Sequence, residues 1–160
     1  MSGNHPGVQT SRTASYGSGP ELVLDLDIER LLGVSARQAI RAEFRFDPGS
    51  PLVVRVEFVI AGGARVLWRI GRDLLQQGLY SVSGLGDVQM WPAYPARAVA
   101  TARLRLTSGD MAALFELPVP PLAAWLRHTY DLVPAGRELA EIDWDVATAD
   151  LLQDPAAQSD

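Results

Sequence analysis

The sequence predicts an α+β fold, an antiparallel sheet or barrel of about seven strands covered by two or three helices. Three observations carry this. Apolar residues recur at every second position in run after run, a helical stripe appears late in the chain, and Gly, Pro and Asp cluster where the runs must reverse.

Taken in order, residues 1–20 are mostly Ser, Gly, Thr and Pro, with Val8 and Tyr16 isolated among them. So little apolar surface cannot offset ~1 to 2 kcal/mol of backbone entropy per residue, and a disordered extension is expected. Leu22, Leu24, Leu26 and Ile28 then alternate with Val23, Asp25 and Asp27, the pattern of a half-buried strand. Ile40, Ala42, Phe44 and Phe46 repeat it against Arg41, Glu43 and Arg45, up to the turn residues at 47–51. Val54, Val56, Phe58 and Ile60 come next, and Gly62-Gly63 permits a tight hairpin into Val66, Trp68 and Ile70.

Past Gly71 the period changes. Residues 72–77 read as a short helix, with Gly78 supplying a left-handed terminus. Residues 87–91 are extended, and Pro92 is expected to stop them. Strands are expected over 98–106 and 111–117 with a turn between. Prolines 118, 120 and 121 open a second helix, where their missing N–H groups cost nothing, and Leu122, Trp125, Leu126 and Thr129 form its packing stripe. Ile142, Trp144 and Val146 alternate with Glu141, Asp143 and Asp145 as a last strand, and residues 147–153 add a helical turn. The domain therefore spans 21–153, between the extension at 1–20 and an acidic tail at 154–160.

Composition excludes several chemistries. The 160 residues include 14 Arg but neither Lys nor Cys. Disulfides and thiol metal sites need cysteine, a Walker-type phosphate loop needs its lysine, and Schiff-base catalysis needs an amine. No run reaches the ~18 apolar residues of a membrane span, and the start lacks the apolar core of a signal peptide, so a cytoplasmic location is expected. The net charge of −5 is uneven, since residues 138–160 hold seven acids and no base.

The reactive candidates are few. His128 is the one histidine between residues 21 and 160, so a triad would have to use it with Ser35, Ser81, Ser83 or Ser108. It lies off the apolar stripe, as a solvated surface histidine does. Glu141, Asp143 and Asp145 share one face of an extended segment and read as a solvated charge run more readily than as a Mg²⁺ site. Asp25 and Asp27 are expected to pair with Arg41 or Arg45. Gly84-Leu85-Gly86-Asp87 lacks the third glycine and the succeeding helix of a dinucleotide loop. Arg41, Arg45, Arg103 and Arg105 compose a local basic stripe that keeps single-stranded nucleic-acid binding as an alternative. Trp91-Pro92 with Tyr94-Pro95 is either core filling closed off by prolines or a stiff aromatic knob suited to a protein interface. No catalytic residue, cofactor or metal is assigned.

The run Gly71-Arg72-Asp73-Leu74-Leu75-Gln76-Gln77-Gly78-Leu79, continued by Gly84-x-Gly86-Asp87-Val88-x-x-Trp91-Pro92, resembles the signature block of the SsgA-like sporulation and cell-division proteins of actinobacteria. The similarity extends over residues 22–152, through the 47–48 turn, the Leu122-Ala123-Ala124-Trp125-Leu126 helix and the Asp143-x-Asp145 end. The resemblance implies a Whirly-like fold, assembly as a homotrimer, and a noncatalytic role in septum placement, sporulation-specific division or spore-wall remodelling. Partners implied are FtsZ or another SsgA-like protein, at the division septum. It also marks Arg72, Asp73, Gly84, Gly86, Asp87, Trp91 and Pro92 as the positions that shape the assembly or its partner surface.

Overall fold

The computed structural model describes residues 20–60, 62–93 and 99–138, and residues 8–11 as backbone. In chain order the elements are β1 (Val8–Ser11), β2 (Glu21–Leu31), β3 (Arg37–Phe46), β4 (Val53–Val59), β5 (Arg65–Gly71), α1 (Arg72–Gly78), β6 (Val88–Ala93), β7 (Thr101–Ser108), β8 (Met111–Pro118) and α2 (Val119–Leu132). Seven strands lie in the order β5-β4-β3-β2-β8-β7-β6, every pairing antiparallel, and β1 adds to β2. Two sequential meanders are thus joined through the long strand β2. Its remaining edge is shared: β1 pairs with residues 21–24 and β8 with residues 29–31.

The sheet curls into a half-barrel. Phe58 of β4 and Phe115 of β8 lie three strands apart, which in a flat sheet is ~14 Å, yet their rings stack with centroids 4.5 Å apart. The alternation explains what fills the concave side. Leu22, Leu24, Leu26 and Ile28 of β2 line it with Phe44 and Phe46 of β3, Val54 and Val56 of β4, Met90 of β6, and Leu104 and Leu117 of β7 and β8. Into this trough α2 lowers its whole predicted stripe, Leu122, Trp125, Leu126 and Thr129, all buried. The Trp125 ring meets Phe44 at 6.0 Å.

Most predicted elements are observed, and the Gly62-Gly63 turn has both glycines at positive φ, with Ile60 N–H bonding Ala64 C=O at 2.8 Å. Three expectations are corrected. Val8–Ser11 is a strand within the segment expected to be disordered, because pairing with the open edge of β2 satisfies backbone groups without the apolar burial that composition measures. Gly78 is not left-handed; it is helical, and its importance lies in how closely α1 approaches β6. Pro92 does not stop β6, which continues to Ala93, since β6 is an edge strand and proline's missing donor can face away from the ladder. Two helices are present among the described residues, and the expected strand at 142–146 and helical turn at 147–153 fall outside them.

Candidate interaction surface

The block from Gly71 to Pro92 folds as one unit, α1, a loop and β6, with α1 laid beside α2. Arg72 opens α1 and is 1% exposed. Its Nη1 donates to the Thr129 carbonyl at 2.9 Å and its Nη2 to Glu138 Oε2 at 3.0 Å. The guanidinium also sits over two rings, 3.9 Å from the Tyr130 centroid and 4.9 Å from that of Phe46. One planar cation therefore ties α1, the last turn of α2, the exit segment at 134–138 and the sheet. Glu138 is held below the usual carboxylate range, first by its own backbone amide and then by Arg72.

Asp73, one residue on, faces outward and accepts a 2.6 Å hydrogen bond from the Tyr130 hydroxyl. Burial, then the bond to Asp73, push that phenol well above its ordinary value. Asp73, Gln76 and Tyr80 from α1 and its exit, with Ala123, Arg127 and Tyr130 from α2, line a cleft of about 790 Å³.

Beyond α1 the loop is pinned to β6 by a backbone hydrogen-bond pair between Ser83 and Met90, in a path that only glycine fits at two points. A Cβ on Gly78 would lie 2.5 Å from Met90 Cβ. One on Gly84, at φ +89°, would lie 2.3 Å from the Val88 carbonyl oxygen. Ser83 and Met90 exchange backbone hydrogen bonds of 2.8 and 2.9 Å, and Ser83 Oγ reaches Gln77 Oε1 at 3.5 Å. This pinned loop exposes three large apolar side chains: Tyr80 at 65%, Val82 at 78% and Leu85 at 93%.

The seven block positions are thus divided by role. Arg72 and Gly84 serve packing; Asp73 lies at the cleft; Gly86, at φ +75°, and Asp87 are exposed in the turn before β6. Trp91 and Pro92 lie half-buried on β6, with Trp91 opposite Arg103. Met90 takes the core place that one reading gave to Trp91. Tyr80, Val82 and Leu85 carry the exposed surface, with half-buried Tyr130 at the cleft, and none of the four was marked by the motif. The signal for the first three was available: apolar residues among serines and glycines, outside any strand pattern, have no core to face.

The convex face is a lattice of ion pairs. Glu116, 8% exposed, meets Arg37 at 2.7 Å and Arg103 at 3.4 Å. Glu21 takes Arg45 at 3.0 Å and also Arg55, and Arg45 reaches Glu43 at 2.6 Å. Asp25 pairs with Arg41 at 3.9 Å as expected, whereas Asp27 is exposed and Arg45 turns to Glu21 and Glu43 instead. Three arginines of the expected basic stripe are consequently matched to carboxylates, and Arg105 alone has no ion pair among the described residues.

Glu116 yields a pH prediction. Burial alone would raise its pKa, but the bond and charge of Arg37, then of Arg103, outweigh this and hold it below its ordinary 4.5. A depressed carboxylate stabilises the fold above its unfolded pKa, and the contribution is lost as pH falls through the folded value. Glu116→Gln should cost on the order of 1 kcal/mol at pH 7, discounted for the solvent reaching both arginines. It should also flatten the acid limb of stability below about pH 4.5, as read by urea titrations at several pH values.

His128 is exposed on α2, and no hydrogen bond joins it to a serine or carboxylate among the described residues. Ser35, Ser81 and Ser108 are exposed, and Ser83 bonds Gln77. Nor do three His, Asp or Glu side chains gather to hold a metal ion among those residues. Glu141, Asp143 and Asp145 lie outside them. No described helix is long and apolar enough to cross a membrane.

A seven-stranded antiparallel half-barrel carrying two helices has its structural neighbours among SsgA-like proteins. A solved structure of an SsgA-like sporulation-specific cell division protein from Thermobifida fusca superposes with TM-score 0.74 and 29% identity, covering 85% of this chain and 98% of that one. A second, described as "Mutations in SsgB correlate to longitudinal cell division during sporulation of Streptomyces coelicolor", gives TM-score 0.75 and 26% identity over 80% of this chain and all of that one. The family model for the Streptomyces sporulation and cell division protein SsgA matches residues 40–138. The sporulation-specific cell division protein SsgB of Salinispora tropica is 44% identical over 115 residues, 71% of this chain and 80% of that protein. SsgB of Frankia casuarinae is 33% identical over 131 residues, covering 82% and 91%. The chain belongs to the SsgA family, whose curated relatives here are sporulation-specific cell division proteins of actinobacteria.

Proposed function

We propose that this protein acts in sporulation-specific cell division as a noncatalytic adaptor, which self-associates and presents the loop after α1 to a protein partner. The observation that carries the reading is the pinned loop, with Tyr80, Val82 and Leu85 exposed beside the α1/α2 cleft. Apolar side chains carried on a loop whose backbone is already tied to β6 cost little further backbone entropy on docking, so more of their burial goes into affinity. The relatives' names supply the process. FtsZ and a second SsgA-like protein are the partners to test, and a homotrimer is the assembly to look for.

The decisive variant is Tyr80→Ser/Val82→Ser/Leu85→Ser. Because these side chains are already in water, stability should change by less than about 0.5 kcal/mol. Septal rings of a fluorescent fusion in the native host should be lost, and affinity for the captured partner should fall at least about tenfold, as hot-spot losses do. Rings that persist with the triple variant refute the loop as the docking element. Salt-sensitive binding of labelled oligonucleotide by the wild type, untouched by these changes, would favour the nucleic-acid alternative instead.

A further inference from the structure

Strand β5 closes one end of the sheet, and no described residue pairs with its outer edge. Its two faces differ sharply. Val66, Trp68 and Ile70 point to the concave side, where Ile70 is buried, Trp68 is half-buried and Val66 is 39% exposed. Val66 and Trp68 border an apolar groove of about 140 Å³ that Phe58, Met111 and Phe115 also line, at the end of the half-barrel the helices leave uncovered. Arg65, Leu67 and Arg69 occupy the convex side, all exposed. Arg65 is matched by Glu57 at 2.6 Å, but Arg69 has no carboxylate partner among the described residues.

The described chain ends near the carboxyl end of this strand. Glu138 is bonded to Arg72, which directly succeeds β5, so the chain leaves from the carboxyl end of that strand. Shortly beyond Glu138 the sequence runs Glu141-Ile142-Asp143-Trp144-Asp145-Val146, acids and large apolar residues in strict alternation. At ~3.3 Å per residue, positions 141–147 reach ~10 to 30 Å from Glu138, enough to cover the ~23 Å of β5.

We infer that the edge of β5 is the docking surface for the chain's own segment 141–147, which adds to it as an antiparallel strand. One register satisfies both faces. With Ile142 opposite Ile70, Trp144 meets Trp68 and Val146 meets Val66, extending the apolar face to the groove. The same register sets Asp143 opposite the unmatched Arg69, and Asp145 between Arg69 and Arg65 on the diagonal. A slip by one residue would put three carboxylates against the apolar face and is excluded by the same pattern. The segment thereby covers an edge that would otherwise be free to pair with another chain.

Hydrogen exchange on the full-length protein tests this. In the wild type the β5 amides should be protected, and Ile142→Ser/Trp144→Ser should accelerate their exchange at least about tenfold while β2 and β3 stay slow. Arg69→Asp and Asp143→Arg, two changes at charged positions, should each have the same effect, and the double variant should recover protection. Protection should also be unchanged over about a hundredfold dilution, as an intramolecular contact requires. Exchange at β5 that ignores the tail variants overturns the docking, failure of the double variant overturns the register, and protection that falls on dilution assigns the edge to a second copy.

Discussion

Gly78→Ala should destabilise the protein by about 2 kcal/mol, although alanine at a helical position normally gains up to ~1 kcal/mol over glycine. The reversal comes from Met90. The new Cβ would stand 2.5 Å from both Cβ and Cγ of Met90, a fully buried side chain of β6 that has no room to retreat. Either α1 lifts from the sheet or Met90 leaves its rotamer, and both disturb the base of the exposed loop. Urea unfolding reads the loss. The mechanism is separable from mere damage by a cycle with Met90→Ala: removing the obstacle should make the pair less destabilised than the sum of the singles by about 1 kcal/mol or more. An additive pair would show that the contact is not the cause.

Arg72→Met should cost more, about 3 kcal/mol, because it takes a buried cation from a buried carbonyl, two rings and a partly exposed carboxylate. Methionine restores much of the volume but neither hydrogen bond, so the Thr129 carbonyl loses a donor and the Glu138 carboxylate loses its cation. Adding Glu138→Gln should recover part of the loss, because no uncompensated charge then remains. Arg72→Lys should not restore wild-type stability, since one ammonium on a flexible stem cannot reproduce a planar fork that serves two acceptors and stacks between two rings. The pH profile carries a second signature. Glu138 is depressed in the folded state, so its stabilisation is present above the unfolded carboxylate value and fades as pH falls through the folded one. In Arg72→Met that part of the acid dependence should shrink.

Much of the sheet was legible because burial on one face writes itself as period two: Leu22 to Ile28, Ile40 to Phe46 and Val54 to Phe58 all line the concave side. The α2 stripe was legible for the equivalent reason at helical period. What failed was information not held in periodicity. Gly78 looks from sequence like a helix stop, and only the three-dimensional approach of Met90 gives its actual role. Arg72 looks like one more exposed cation in an arginine-rich chain. Its burial depends on Tyr130, Phe46 and Glu138, contributed by distant elements, and no local pattern announces such a convergence. The family block was visible as a motif, yet it mixes residues that pack with residues that face water. The exposed trio of Tyr80, Val82 and Leu85 lies among its unmarked positions.

The junction of the two meanders is where the sheet is hardest to close. β3-β4-β5 and β6-β7-β8 are each built from neighbouring hairpins whose turns close short loops at little entropic cost. Across β2 and β8, by contrast, only the pairs 29↔116, 30↔115 and 31↔114 bridge the halves, and they join distant parts of the chain. Each meander rests on local pairings, whereas the mid-sheet seam that shapes the trough rests on long-range ones, so the largest loop-closure cost in forming the sheet falls on those three pairs.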